Sequence, residues 1–347
     1  STCPKIICAI TYHTKQKSLT FAGKTFLWFI LKLSTNQMRL AAIDIGSNAV
    51  RLLVSDANIS KKRGLYFKNV KLYRLPVRLG IDAFTTGIIS AHTAEKLSKS
   101  MQAFQTIMDV YDVEDYRVYA TSAMRETSNA KDIIKRVKKE SGIEIQVIDG
   151  DFEAQVILAS SLREHSWIDK RFSHLYVDVG GGSTEISLID KSGVLIAKSF
   201  KIGTVRLLEN KVVDSTWQEM GDWISQNITD KLPLSVIGSG GNINRIFKNS
   251  NNAYGHPLTY EYLKAEYDKL AGMDIEDRII LEDLNQDRAD VIVHALKIFL
   301  FVMEKADIHQ VLVPKIGLVD GMVYNLYQEK TKNNPPPPEK EKKKKVK

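Results

Sequence analysis

"YVDVGGGSTEISLID", residues 176–190, runs an apolar strand into the acid Asp178, then into Gly180, Gly181, Gly182, Ser183 and Thr184. A second acid, Glu185, and a second strand follow. Side-chain-free turns of this kind expose several backbone N–H groups to one concavity, and such concavities favour anions. Glycine suits the turn because a Cβ would hold a phosphate away from the amides. Two carboxylates beside bound phosphate would be repulsive unless a hard cation lay between them.

The pattern occurs twice. "LAAIDIGSNAVRLLVSD", residues 40–56, repeats the plan of strand, Asp44, a Gly46-Ser47-Asn48 turn and a second strand. A third strand-like run follows each copy, "LYFKNVKLYRLPVRL" in the first and "GVLIAKSFKI" in the second. Each half then offers a strand, a polar turn and a helix, "YRVYATSAMRE" and "LSVIGSGGNINRIF". Helical periodicity is expected over roughly 90–112, 130–141, 151–165, 215–230, 260–271, 287–304 and 318–329. The order β-β-β-α-β-α per half predicts an α/β fold of two similar lobes, each a mixed sheet flanked by helices, around a central cleft.

Composition sets the limits. At 347 residues and 44% hydrophobic, the chain can bury a large core and is long enough for two domains. No run of 18 apolar residues is present, so no transmembrane helix and no membrane partner are predicted. The two cysteines, Cys3 and Cys8, leave the body without disulfide or thiolate metal site, which fits a cytoplasmic location. The formal charge of +8 belongs to the ends. Five lysines and no acid in 1–37 give +5, and eight lysines against three glutamates in 329–347 give +5, leaving −2 for 38–328. No nucleic-acid partner is expected from that balance.

The expected organisation is a leader over 1–37, an N-terminal lobe over 38–160 to which 316–328 returns, a C-terminal lobe over 161–315, and a tail over 329–347. The leader reads as sequence upstream of a start at Met38, with a degenerate export signal as the runner-up. The tail "NNPPPPEKEKKKKVK" reads as structureless, because prolines block helix and sheet and like charges repel.

Two further turns, at Thr121–Ser122 and across Gly238 to Gly240, Gly241 and Asn242, stand where strands enter helices, and N-terminal amides there suit phosphate. Taken singly, each turn is more often an ordinary strand connection; four in a repeated frame point to a substrate with several phosphates. Asp44 and Asp178 then suit Mg²⁺, which takes one or two carboxylates together with phosphate oxygens and water. Arg51, Arg78, Arg125, Arg206 and Arg245 follow or join the turns, and guanidinium forks suit phosphate, although arginine at such places is more often a surface charge. Glu153 opens a helix that leaves the first half toward the second. It either complements the helix dipole or acts as a base beside the cleft. No GxxxxGK[ST] or GxGxxG motif is present, which counts against a P-loop or dinucleotide fold.

These motifs in this order resemble the exopolyphosphatase / guanosine pentaphosphate phosphohydrolase family, within the actin-like ATPase and sugar-kinase superfamily. The resemblance covers about 38–328 through "DIGSNAVRLLV", "ATSAMRE", "DGDFEA", "DVGGGSTE" and "GSGGNI". It implies that Glu153 activates the attacking water and that Asp44, Asp178 and Glu185 position Mg²⁺ or water. The implied substrate is inorganic polyphosphate or guanosine pentaphosphate, in a short two-domain form for which a homodimer stays open. The sequence departs from the family pattern at Phe152, where a second glutamate is usual, at Asp149, and at Ala49. An ATP-dependent kinase or ATPase of the same superfamily, and a non-catalytic sensor of polyphosphate or alarmone, are the alternatives.

Overall fold

The computed structural model describes residues 37–60, 64–164, 169, 171–190, 193–228 and 235–333; most of the leader and tail readings concern residues outside these. The strands are β1 (Gln37–Ile45), β2 (Val50–Ser60), β3 (Gly64–Leu75), β4 (Asp115–Ala120), β5 (Gln146–Val147), β6 (His174–Val179), β7 (Thr184–Asp190), β8 (Gly193–Phe200), β9 (Ser235–Ser239), β10 (Leu258–Thr259) and β11 (Gln310–Leu312). The helices are α1 (Leu79–Thr86), α2 (Ala91–Val110), α3 (Ser122–Glu126), α4 (Ala130–Ser141), α5 (Gly150–Glu164), α6 (Thr204–Leu208), α7 (Asp214–Ile228), α8 (Gly241–Asn249), α9 (Tyr260–Ala271), α10 (Ile275–Ile280), α11 (Gln286–Ala289), α12 (Ile292–Ala306) and α13 (Leu318–Asn333).

Two compact units are distinguished, Ser1–Met38 with Asp56–Lys68, and Arg39–Ser55 with Asn69–Lys347. In the first, the Asn58 side chain donates to the Asp56 carbonyl at 2.9 Å. Every site residue discussed below belongs to the second.

The duplication is visible in the strand orders, β3-β2-β1-β4-β5 in one sheet and β10-β11-β9-β6-β7-β8 in the other. Reading the second in reverse gives 8-7-6-9-11, the same plan with β10 added at the edge. In each, the first strand of the repeat lies beside a later parallel strand: Asp44 pairs with Tyr119, and Asp178 with Ser239. The expected duplicated, actin-like α/β fold is the fold observed. The cause is local. Residues 40–45 and 174–177 are buried without interruption, as strands covered on both faces require.

Each sheet has its own core. Ile43, Leu52 and Val54 of the first pack with Leu97, Met101 and Phe104, one stripe of α2 at helical spacing. Ser90 starts that helix by accepting a hydrogen bond from the Thr93 N–H at 3.3 Å. In the second, Leu175, Val177 and Val236 pack on α12, whose Leu296, Phe299 and Val302 are buried among them.

The long helices fall where periodicity places them, and three short ones, α1, α6 and α10, were not predicted. The expected helix over 287–304 is two, α11 and α12, interrupted at Asp290 and Val291. Helices of five to eight residues carry too little apolar pattern to be distinguished from turns. α5 packs against β7, β8 and α13, and α13 packs also on β4. Ion pairs Arg117–Glu329 and Lys330–Asp115 and the Asn69–Asp320 hydrogen bond (3.3 Å) tie α13 to the first sheet.

Candidate active site

The two repeats build the same turn. The Gly46 N–H donates to the Ala49 carbonyl at 3.2 Å, and the Gly180 N–H to the Ser183 carbonyl at 3.0 Å. Both pairs lie 134 positions apart in the chain, so Arg51 of the first copy corresponds to Glu185 of the second. That substitution breaks the symmetry of the site: one repeat brings a cation, the other a carboxylate. Ala49, similarly, corresponds to Ser183, whose hydroxyl donates to Glu185 at 2.7 Å.

A cavity of about 380 Å³ lies between these turns. Of the residues expected from sequence, its walls include Asp44, Gly46, Ser47, Asn48, Arg51, Thr121, Ser122, Glu153, Asp178, Gly180, Gly181, Ser183, Gly240, Gly241 and Asn242. All four turns therefore meet in one place. The walls also carry Arg74, Arg288, Lys248, Lys315 and Asp320, which sequence reasoning did not single out. Arg74 stands in the third strand of the first repeat, without a counterpart being expected there as a ligand; only the packing of α11 and α13 brings Arg288 and Asp320 to the cavity.

Other expected residues lie behind the walls. The Thr184 hydroxyl is buried and donates to the Ile202 carbonyl at 2.6 Å, so it serves the sheet rather than the cavity. Arg78 pairs with Asp290 at 2.6 Å, and its backbone is left-handed at φ 62°. Arg206 is buried and donates to the Gly182 carbonyl. Gly182 stands where any Cβ would fall 2.3 Å from Ser122 Oγ and 2.4 Å from the Phe84 ring. Arg125 donates to the Ile148 carbonyl and lies 4.0 Å from a Glu153 oxygen. Arg245 is held by the Glu282 and Asp283 carbonyls at 2.7 and 2.9 Å while lining the cavity.

One corner is acidic. Oxygens of Glu153, Asp178 and Glu185 come within 4.8 Å of one another. Asp178 and Glu185 are brought together by the β6–β7 register, where they are directly opposed. Glu153 arrives on the first turn of α5, whose start is fixed by Asp149: its carboxylate accepts from the Phe152 N–H at 2.8 Å. The departure at Asp149 thus supplies an N-cap. Phe152 points elsewhere, edge-on to the Tyr119 ring at 5.7 Å. Asp44 lies outside the triad and is 3.5 Å from the Arg51 guanidinium.

Burial dominates the electrostatics of this corner. It pushes the Asp44 carboxyl up to about 6, with Arg51 opposing and Asp178 adding to it. Burial and then Asp178 push Glu185 to about 7, against the hydroxyls of Ser183 and Ser199. Asp178 is raised by burial, with the Ser239 hydroxyl opposing. Glu153 is held well above the ordinary carboxylate range by burial, then by Glu185, Asp178 and Asp44, with Arg125 opposing. Its buried Oε2 has no hydrogen-bond partner. Across the cavity Arg288 is lowered to about 10 by burial and by Arg74 beside it.

A pH prediction follows with its sign. Raised pKa values mean that the folded chain holds more protons than the unfolded one between about pH 4 and pH 7, so stability falls as pH rises through that window. Asp44 alone, moved from 3.8 to about 6, corresponds to about 3 kcal/mol. In chelator, the unfolding midpoint should be lower at about pH 8 than at about pH 5, and Glu185→Gln should flatten that slope. A midpoint that rises over the same interval in both proteins would show that the acidic corner does not set the pH dependence.

Residues 58–330 match the model of the Ppx/GppA phosphatase family. The chain belongs to the Ppx/GppA phosphatase family. Exopolyphosphatase 1 of Mycobacterium tuberculosis is 27% identical over 307 residues, which is 82% of this chain and 87% of that protein. A bifunctional 3-dehydroquinate synthase/phosphatase of Fusobacterium nucleatum is 30% identical over 259 residues, 68% of this chain. The match spans only 38% of that longer protein. Among solved structures, the Ppx/GppA family member of Aquifex aeolicus superposes with a TM-score of 0.65 at 26% identity, covering 86% of this chain and 99% of that one. An exopolyphosphatase from Cytophaga hutchinsonii gives a TM-score of 0.72 at 23% identity over 84% and 98%. In this family member no helix among the described residues is long and apolar enough to cross a membrane.

Proposed function

We propose that this Ppx/GppA family member is a phosphohydrolase that releases terminal orthophosphate from inorganic polyphosphate, with guanosine pentaphosphate as a further substrate of the same cavity. The observation that carries this reading is Glu153, whose buried Oε2 has no hydrogen-bond partner and lies 4.0 Å from the Arg125 guanidinium, on the wall of a cavity that turn amides, cations, Asp44 and Asp178 also line. The exopolyphosphatase names of its relatives support the choice of substrate.

The acids fit a divalent cation. Three carboxylates within 4.8 Å have pKa values raised chiefly by burial although Arg125 and Arg51 oppose the rise, and a hard cation would offset the remaining negative charge. Asp178 and Glu185, with Asp44 close enough to repel Asp178, are the residues that would hold Mg²⁺. When bound, that ion would neutralise phosphate charge and favour the ionised form of the neighbouring carboxylates.

In this mechanism the terminal phosphate lies against the amides of residues 46–48 and 180–181 and the hydroxyls of Ser47 and Ser122, themselves hydrogen-bonded at 2.8 Å. Glu153, once ionised, takes the proton from a water attacking the terminal phosphorus, and the shortened chain leaves. Such transfer depends on positioning and electrostatic stabilisation more than on covalent chemistry. Arg51, Arg74 and Arg288 offer charge to the phosphates behind the reacting one.

Two outcomes are expected. Orthophosphate release should be faster from polyphosphate than from ATP; selective turnover of ATP would transfer the reading to a kinase or ATPase. Asp178→Asn should raise the Mg²⁺ concentration for half-maximal rate at least about tenfold, by loss of a charged ligand. An unchanged Mg²⁺ requirement in that variant would remove Asp178 from the metal site.

A further inference from the structure

Arg206 is the arginine whose place disagrees most with its apparent role. It follows β8 by a short connection and reads in sequence as a phosphate ligand, yet it is 7% exposed and does not line the cavity. Its guanidinium is engaged at two nitrogens. Nε donates to the Gly182 carbonyl at 2.8 Å. One terminal nitrogen donates to Glu126 Oε1, on the last residue of α3, at 2.7 Å. The planar group lies over the Phe84 ring of α1, 4.0 Å from its centroid.

These contacts join three segments that the cavity needs in register. Gly182 belongs to the second repeat's turn; Glu126 ends the helix begun by Ser122; Phe84 belongs to the helix whose Gly80 N–H donates to the Ser47 carbonyl at 2.7 Å. Their approach is already close, since a Cβ on Gly182 would meet both Ser122 and Phe84. Ser47 and Ser122, whose hydroxyls are hydrogen-bonded to each other, line the cavity beside this junction. Three segments from distant parts of the sequence thus share one guanidinium as their common partner.

We infer that Arg206 is a positioning residue, which sets the 180–182 turn against Ser47 and Ser122 so that the amides and hydroxyls face one phosphate in a single geometry. This rests on the phosphohydrolase reading. Its geometry is specific to a fork: lysine retains the charge near Glu126 but has neither the planar face for Phe84 nor a second donor direction for Gly182. A misplacement of about 1 Å in a positioning group costs on the order of 100-fold in rate.

The experiment compares Arg206→Lys, Glu126→Gln and the double variant in full-length protein. It reads kcat, KM for polyphosphate, calorimetric binding of tripolyphosphate, and the unfolding midpoint. Arg206→Lys should lower kcat by about 10–100-fold with KM changed less than about threefold, and Glu126→Gln should lower kcat less. In the double variant the effects should combine to less than their product, because both act through one junction. Equal kcat in wild type and Arg206→Lys, or a fall in the midpoint with no kcat-against-KM split, would overturn the inference. Should Arg206→Lys fail to fold, Glu126→Gln carries the same test, and unchanged kcat there would overturn it. If the wild-type protein releases no phosphate, the functional reading fails by itself. Arg206 is then judged by the calorimetric enthalpy of tripolyphosphate binding, which should become less favourable in Arg206→Lys with affinity changed less than about threefold; an unchanged enthalpy would overturn the positioning claim as well.

Discussion

Glu153→Gln is expected to lower kcat for polyphosphate by about 10²–10⁴-fold, the usual worth of general-base assistance. The amide keeps the shape of the side chain and can still occupy the buried wall, but it cannot accept the proton from water. KM should hold or fall slightly, since one of the mutually repelling acids of the corner is removed. Stopped-assay phosphate release at saturating substrate measures the change. Near-normal turnover would release Glu153 from the role and pass it to Asp149, Asp151 or Glu185.

The second large effect is on stability. A Cβ on Gly321 would lie 2.0 Å from the Val156 carbonyl oxygen, backbone of α5. Neither partner is a flexible side-chain end, so α13 must move away from α5, the helix that carries Glu153 on its first turn. Gly321→Ala should cost about 3 kcal/mol or more, at the upper end of overpacking effects, and lower the unfolding midpoint by about 5–10 °C. Gly272→Ala is the control: its backbone is right-handed at φ −76° and the nearest atoms would be at 3.4 Å, an ordinary contact. That variant should stay within about 0.5 kcal/mol of wild type. Equal midpoints for the two variants would mean that the helix crossing is not close-packed.

The repeat was legible because it is written in backbone terms. Strand, acid, glycine turn and strand recur at a spacing of 134, and the structure returns the same turn hydrogen bond at Gly46 and at Gly180. The convergence of four turns follows from the fold class, which places turns at equivalent strand ends. The long helices were legible for the same reason, since α2 and α4 carry full apolar stripes.

What was not legible depends on contacts between distant segments. Arg288 and Asp320 reach the cavity through α11 and α13, and nothing in their local sequence distinguishes them from surface charge. Arg206 shows the converse. Its neighbourhood in sequence suggests a ligand, and only Glu126 and Phe84, which precede it by 80 and 122 positions, turn it into a brace. Thr184 was misleading in the same way, because its hydroxyl faces Ile202 within the sheet. Asp149 is the milder case. This departure from the family pattern is an N-cap for the helix of Glu153.

The central claim is that water, with Glu153 as its base, attacks the terminal phosphorus of a phosphate chain. Phosphate release from polyphosphate in oxygen-18 water, in the presence of Mg²⁺, tests it most directly. The account predicts that wild-type protein releases one orthophosphate at a time, each carrying a single solvent oxygen, and that Glu153→Gln loses that release by about 10²-fold or more. Orthophosphate without solvent oxygen, or release that Glu153→Gln leaves intact, would contradict it.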